Sequence, residues 1–137
     1  MNTRHVPDLE HCQELDRLCK EKGIVVPETE FYWYAHRSME DNTLIEWKIK
    51  ESKCGSKESV PAPLVSEQGE WLPLLSGYDL IASCEHRGGN WVSFYMAKRM
   101  GENDFPMGKD LCKSETEPNA RQKMINYLIA EGIVTVL

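Results

Sequence analysis

The sequence predicts an α+β fold in one domain, residues 1–137: an antiparallel sheet built from two β-hairpins, packed with an N-terminal and a C-terminal helix. Three observations carry this expectation. Residues Ser114 to Leu137 read as a capped amphipathic helix followed by a short apolar tail. Residues Tyr78 to Lys98 read as a hairpin folded about Arg87-Gly88-Gly89-Asn90. Residues Pro7 to Lys22 read as a second long helix closed by a glycine. With 137 residues, 41% of them hydrophobic and 28% charged, the chain can fill one core without a metal or disulfide staple.

The elements follow in order. Leu9, Cys12, Leu15, Leu18 and Cys19 recur at helical spacing. Pro7 suits a first helical position, and Asp8 and Glu10 in the first turn with Lys20 and Lys22 in the last match the helix dipole. Gly23 can take the left-handed conformation that ends a helix, with Ile24 folding back onto the last turn. Ile24-Val25-Val26, cut by Pro27, is an extended lead-in. Glu30 to Arg37 is dense in aromatics and reads as a strand, with Phe31, Trp33 and Ala35 on one face and Tyr32, Tyr34 and His36 on the other. Met39 to Asn42 is a polar turn. Thr43 to Glu51 alternates, with Ile45, Trp47 and Ile49 on the buried face.

Irregular segments are expected near 52–63 and 100–113, where Gly, Pro and Ser break any pattern. Leu64 to Leu75 predicts either a short helix, with Ser66 as its cap and Pro73 preventing a long continuation, or an irregular turn. The last helix starts near Thr116 to Pro118, with Ala120, Met124, Tyr127 and Leu128 on its apolar face and Ile125 and Ile129 widening it. Ser114 and Glu117 stand at capping-box spacing, and Glu117-Pro118 leaves the cap open between Ser114 and Thr116. Gly132 ends this helix, and Ile133 to Leu137 either adds an edge strand or packs on the core.

Charge and cysteine usage narrow the function classes. The net charge is −6, the sign opposite to that of a polyanion binder. Much of the acidity lies between Asp8 and Glu30. No apolar run reaches the roughly 20 residues of a membrane helix, so no membrane partner is expected. Residues Met1 to Glu10 lack the apolar centre of a signal peptide. The five cysteines, odd in number and widely spaced, fit reduced thiols in a cytoplasm.

Four constellations invite chemistry. Cys84-Glu85-His86 places a thiol near an imidazole, but at a hairpin end and with no third partner marked by a motif. The histidines and cysteines show no Cys-x-x-Cys pairing, so no metal and no cofactor are expected. Arg87-Gly88-Gly89-Asn90 leads into a strand and lacks the Lys-Ser/Thr of a phosphate loop, so it reads as a turn. Tyr32, Tyr34 and His36, together with Trp91 and Tyr95 on the second hairpin, form a candidate binding face. Aromatic sheet faces with basic neighbours stack single-stranded nucleic acid. Arg37, Lys48 and Lys50 are near in sequence, yet the acidic balance favours core or subunit contact.

Leu18-Cys19-Lys20-Glu21-Lys22-Gly23, then Pro27-Glu28-Thr29-Glu30-Phe31-Tyr32-Trp33, resembles the opening of small proteins carried by phages and mobile genetic elements. Pro63-Leu64 through Trp71-Leu72-Pro73 resembles their middle. Ala120 to Gly132, with Lys123-Met124 and Tyr127-Leu128-Ile129, resembles their closing helix. The resemblance implies an accessory role without catalysis and brings no site residues. The expectation is a non-enzymatic cytoplasmic binding protein. Its partner is another protein or a second copy, with single-stranded nucleic acid as the disfavoured alternative.

Overall fold

The computed structural model describes residues 5–51, 58–73, 83–95 and 112–137. The fold is α+β. Its described elements are α1 (Leu9–Lys22), β1 (Phe31–Arg37), β2 (Leu44–Glu51), β3 (Ser59–Ala62), α2 (Val65–Trp71), β4 (Ser83–Arg87), β5 (Asn90–Phe94), β6 (Lys113–Ser114) and α3 (Glu117–Ala130). Each hairpin is the nucleus of its own three-stranded antiparallel sheet, ordered β2-β1-β3 and β4-β5-β6. Helix α1 packs on the first sheet through β3 and on α3. Helix α3 packs in turn on the second sheet and on α2. The α1–α3 pair therefore links the first sheet to the second.

Helix α1 begins at Leu9, two residues beyond Pro7. Asp8 remains extended (φ −61°, ψ 153°) and makes no side-chain cap bond. Its polar groups are spent on α3 instead. The Asp8 N–H donates to Asn119 Oδ1 (2.6 Å), and Asn119 Nδ2 donates to Asp8 Oδ2 (3.0 Å). At the other end Gly23 takes φ 69° and the Ile24 N–H donates to Cys19 O (2.8 Å), a Schellman closure. The apolar residues of α1 serve two cores. Leu15, Leu18 and Cys19 pack with α3, whereas Leu9 and Cys12 pack with Val60, Ala62, Phe31 and Trp33 of the first sheet.

That sheet reaches further along the chain than its sequence predicts. Ser59–Ala62, expected to be irregular, is an edge strand on β1, with Pro61 opposite Tyr32. An edge tolerates proline because an N–H directed away from the sheet has no ladder partner to lose. The expected irregular segment at 100–113 lies outside the described residues up to 111, and Lys113–Ser114 pairs with β5. The parts of the second hairpin expected at 78–82 and 96–98 also lie outside them. Its turn is of two residues, with Gly88 at φ 56° and Gly89 at φ 86°, the backbone a type I′ hairpin requires. On β2 the expected buried face is covered at one end only. Ile49 packs into the core while Ile45 remains 59% exposed.

Helix α3 is enclosed on nearly all sides. Ala120, Met124, Ile125, Leu128 and Ile129 are buried, as expected, but so are Asn119, Gln122 and Asn126. These three amides, at i, i+3 and i+7, form one stripe. Gln68 Nε2 of α2 donates to Pro118 O (2.9 Å) and Gln122 Oε1 (3.1 Å). Gln122 Nε2 donates to Asn126 Oδ1 (2.9 Å), and Asn126 Nδ2 donates to His11 O of α1 (3.1 Å). With the Asp8–Asn119 pair, this ladder joins all three helices. Of the two expected cap candidates, Thr116 is the N-cap of α3, and its hydroxyl makes no cap bond. Beyond Gly132 (φ 72°) the tail forms no strand; Val134 is buried in the α1–α3 core.

Replacing Gln122 with leucine keeps the volume but strips Asn126 Oδ1 of its donor. Gln122→Leu should lower the free energy of unfolding by about 2 kcal/mol in urea denaturation. The Gln122→Leu/Asn126→Leu double variant should lose less than the sum of the two single variants, because it removes both members of that bond.

His11 supplies a pH dependence. Burial, helped by the Lys123 ammonium, pushes its imidazole below the ordinary value, against opposing pulls from Glu10 and Asp8. The unfolded chain then takes up the proton more readily. Stability is complete above about pH 6.5 and falls as pH drops from there through the depressed folded value. The plot of denaturation midpoint against pH should flatten in that window in His11→Gln.

Candidate functional site

The start of α2, the start of α3 and Trp91 of β5 enclose a cleft of about 670 Å³. Leu64, Val65 and Ser66 form one lip, Glu115, Thr116, Glu117 and Pro118 the other, and His5 closes one side. The sequence builds each lip locally. Pro61 and Pro63 hold the chain extended into α2. Glu67 then turns back as the N3 residue of that helix. Its Oε1 accepts the Leu64 N–H (2.8 Å) and its Oε2 the Glu30 N–H (3.2 Å). Ser66, expected to cap α2, lies inside the helix and faces the cleft instead.

The opposite lip is placed by the second sheet. Trp91 pairs with Ser114 of β6, so Glu115 to Pro118 emerge beside the indole. Lys123 Nζ donates to Lys113 O (2.6 Å) and ties the first turns of α3 to β6. Trp91 is half-buried, and its ring meets His86 edge-on at 5.4 Å and 62°. Thr116 Oγ1 is buried without a partner. The Glu117 carboxylate lies 3.9 Å from the Arg121 guanidinium, and Glu115 is exposed. An aromatic wall with carboxylates and a hydroxyl around it suits a cationic group carried on an apolar stem.

The five residues expected to share a binding face do not share one. Tyr32, Tyr34 and His36 belong to the first sheet, and Trp91 and Tyr95 to the second hairpin with its sheet. Tyr32 is buried, with its hydroxyl oxygen accepting the Thr29 N–H (3.2 Å). Tyr95 is fully buried in the main core and donates to Pro73 O (2.8 Å); burial pushes its phenol up. Tyr34 is half-buried beneath the Lys50 ammonium, 4.8 Å from the ring centre, and His36 is exposed. Of the five, Trp91 alone lines the cleft. Of the basic residues near the first sheet, Arg37 is bound bidentately by Glu58 (2.8 and 2.9 Å), and Lys48 faces Glu46 at 3.3 Å.

Sequence reasoning missed the lips of this cleft. Pro63-Leu64-Val65-Ser66 and Glu115-Thr116-Glu117-Pro118 were readable as helix starts, but nothing local says that two starts meet across a tryptophan. The buried amides were readable as a polar row on α3, and a polar row ordinarily marks a solvated face.

No group of three or more His, Cys, Asp or Glu that could hold a metal occurs among the described residues. No helix among them is long and apolar enough to cross a membrane. The side chain of Cys84 lies outside the described residues. Cys12, Cys19 and Cys112 are free thiols, all buried. Burial, with Asp8 nearby, raises Cys12 far above an ordinary thiol; burial and Asp16 push Cys19 up to about 11. Comparison with protein families, with curated proteins and with solved structures finds no match for this chain.

The buried thiols set an alkylation pattern. Under native conditions iodoacetamide should leave Cys12, Cys19 and Cys112 unmodified, and all three should react once urea unfolds the chain. Peptide mass spectrometry reads the difference.

Proposed function

We propose that this chain is a non-enzymatic binding protein whose partner is another protein, presenting a basic, partly apolar segment to the Trp91 cleft. The accessory role matches the resemblance to phage and mobile-element proteins. The buried free thiols fit action in a cytoplasm. The observation that carries the proposal is the lining: an indole face flanked by Glu115 and Glu117. A lysine or arginine stem can lie on the indole while its charge meets the carboxylates. The net charge of −6 draws such a segment in.

The alternative, single-stranded nucleic acid on the Tyr32/Tyr34/His36 face, has weaker support. A base stacking on Tyr34 would have to displace the Lys50 ammonium, and Tyr32 offers no open ring.

An NMR titration tests the cleft, using a blocked pentapeptide that alternates lysine and leucine. The Trp91 indole signal and the amides of 64–66 and 115–117 should shift. The same peptide with glutamate for lysine should leave them in place. Trp91→Ala and the Glu115→Gln/Glu117→Gln pair should each weaken binding about fivefold to tenfold. Equal shifts from both peptides, or shifts confined to the first sheet on adding oligothymidine, would sink the proposal.

A further inference from the structure

Strand β2 is an outer strand of the first sheet, and no described residue pairs with its far side. Its outward-facing backbone groups can be identified from one bond. The Ala35 N–H donates to Glu58 O (3.0 Å), on the β3 side of β1. Backbone groups alternate in direction along a strand, so Phe31, Trp33 and Ala35 address β3, and Tyr32, Tyr34 and His36 address β2. Pro61, opposite Tyr32, agrees with this assignment, since its missing N–H would point away from the sheet. The β1–β2 register sets Tyr32, Tyr34 and His36 against Lys50, Lys48 and Glu46. Those three residues of β2 spend their groups on β1. Trp47 and Ile49 therefore direct theirs outward, while the register shift between His36 and Arg37 leaves Ile45 as the extra residue of a bulge, outside that alternation.

The two edges of this sheet differ. Pro61 blunts the β3 edge, whereas β2 has no proline from Leu44 to Glu51 and runs regularly from Glu46 onward, beyond the bulge at Ile45. An antiparallel strand joining β2 must match its outward groups. When the joining strand is another β2, an odd-numbered residue must meet an odd-numbered one. Of the registers this allows, one is centred on Trp47. It sets Trp47 against Trp47 of the second copy, Ile45 against Ile49, and Glu46 against Lys48, twice each for the last two pairs. Sliding the partner by two residues in either direction places Lys48 against Lys48 or Glu46 against Glu46. Only the Trp47-centred register sets Trp47 on Trp47 and Glu46 against Lys48 in both pairs; Lys50 then falls opposite Leu44. The Glu46–Lys48 pairs fall at the closely spaced, non-hydrogen-bonded positions, where side chains meet best.

We propose that a second copy of this chain docks on the β2 edge, antiparallel and centred on Trp47, merging two three-stranded sheets into one of six strands. The pairing is self-complementary and closes after two subunits, as a two-fold interface must. It covers Ile45, 59% exposed in the single chain. It continues the side of the sheet on which Trp47 shares a groove with Asp16, Arg17 and Lys20 of α1. The Trp91 cleft takes no part in it.

Sedimentation velocity over a micromolar concentration series tests the pairing and its register together. The natural chain should sediment as a dimer of twice 15.8 kDa. Glu46→Lys and Lys48→Glu each place like charges in both cross-strand pairs, and each should weaken dimerisation about tenfold. The Glu46→Lys/Lys48→Glu double variant restores opposite charges and should return to within about threefold of the natural chain. Both side chains are exposed, so circular dichroism should be unchanged in all three variants. A monomer at every concentration overturns the proposal. So does a dimer that is indifferent to the single changes or that the double change does not restore.

Discussion

The fold depends on the amide stripe of α3. Asn119, Gln122 and Asn126 are buried on α3 beside Ala120, Met124, Ile125, Leu128 and Ile129, inside a core where an unpaired amide costs about 1–3 kcal/mol. They are tolerated because α1 and α2 bring matching groups to fixed places: Asp8 to Asn119, Gln68 to Gln122 and the His11 carbonyl to Asn126. Apolar contacts alone would let α1 slide or rotate on α3, since methyl groups accept many partners. Directional bonds allow one arrangement. The ladder thus sets the register of three helices, and each sheet follows from a helix so placed.

The cleft is a consequence of the same register. Gln68 stands one turn into α2, and its amide reaches Pro118 at the start of α3. That bond brings two helix starts side by side, with Ser66 on one lip and Glu117 on the other. Trp91 is set between them by a different constraint, the β5–β6 pairing. Helix starts usually favour anions. Here Glu115 and Glu117 reverse that preference, and the indole adds a surface for cations. Such a cleft comes from the meeting of elements, none of which carries a motif.

Much of the architecture was legible in the sequence, and the reasons are local. Gly23 and Gly132 close helices because a left-handed residue is needed there, and Gly88-Gly89 folds a two-residue hairpin for the same reason. The aromatic strand Phe31–Arg37 and the alternating strand Leu44–Glu51 were visible from their period. Less legible was Ser59–Ala62, where Ser59 and Pro61, with Pro63 just beyond, suggested a loop. Its strand character comes wholly from β1, which lends hydrogen bonds to a segment with little propensity of its own. The candidate binding residues divided for a related reason. Period-2 alternation says which residues share a face, but not which face a helix covers. Tyr95 could not be recognised as core before Pro73 was known to receive its hydroxyl.

The sequence by itself determined the inventory: an α+β chain, two long helices with glycine closures, two hairpins, a net negative charge and cysteines suited to burial. These are properties of short windows, set by backbone conformation and by the period of apolar residues. The tertiary structure alone decided that the hairpins build separate sheets, that α3 lies enclosed, and that its polar stripe faces inward. It also decided that Trp91, rather than the tyrosines, lines a cleft. An amide carries the same letter in a solvated face and in a buried ladder. Only the partner across the interface, at a sequence separation of 111 for Asp8 and Asn119, determines which one it becomes.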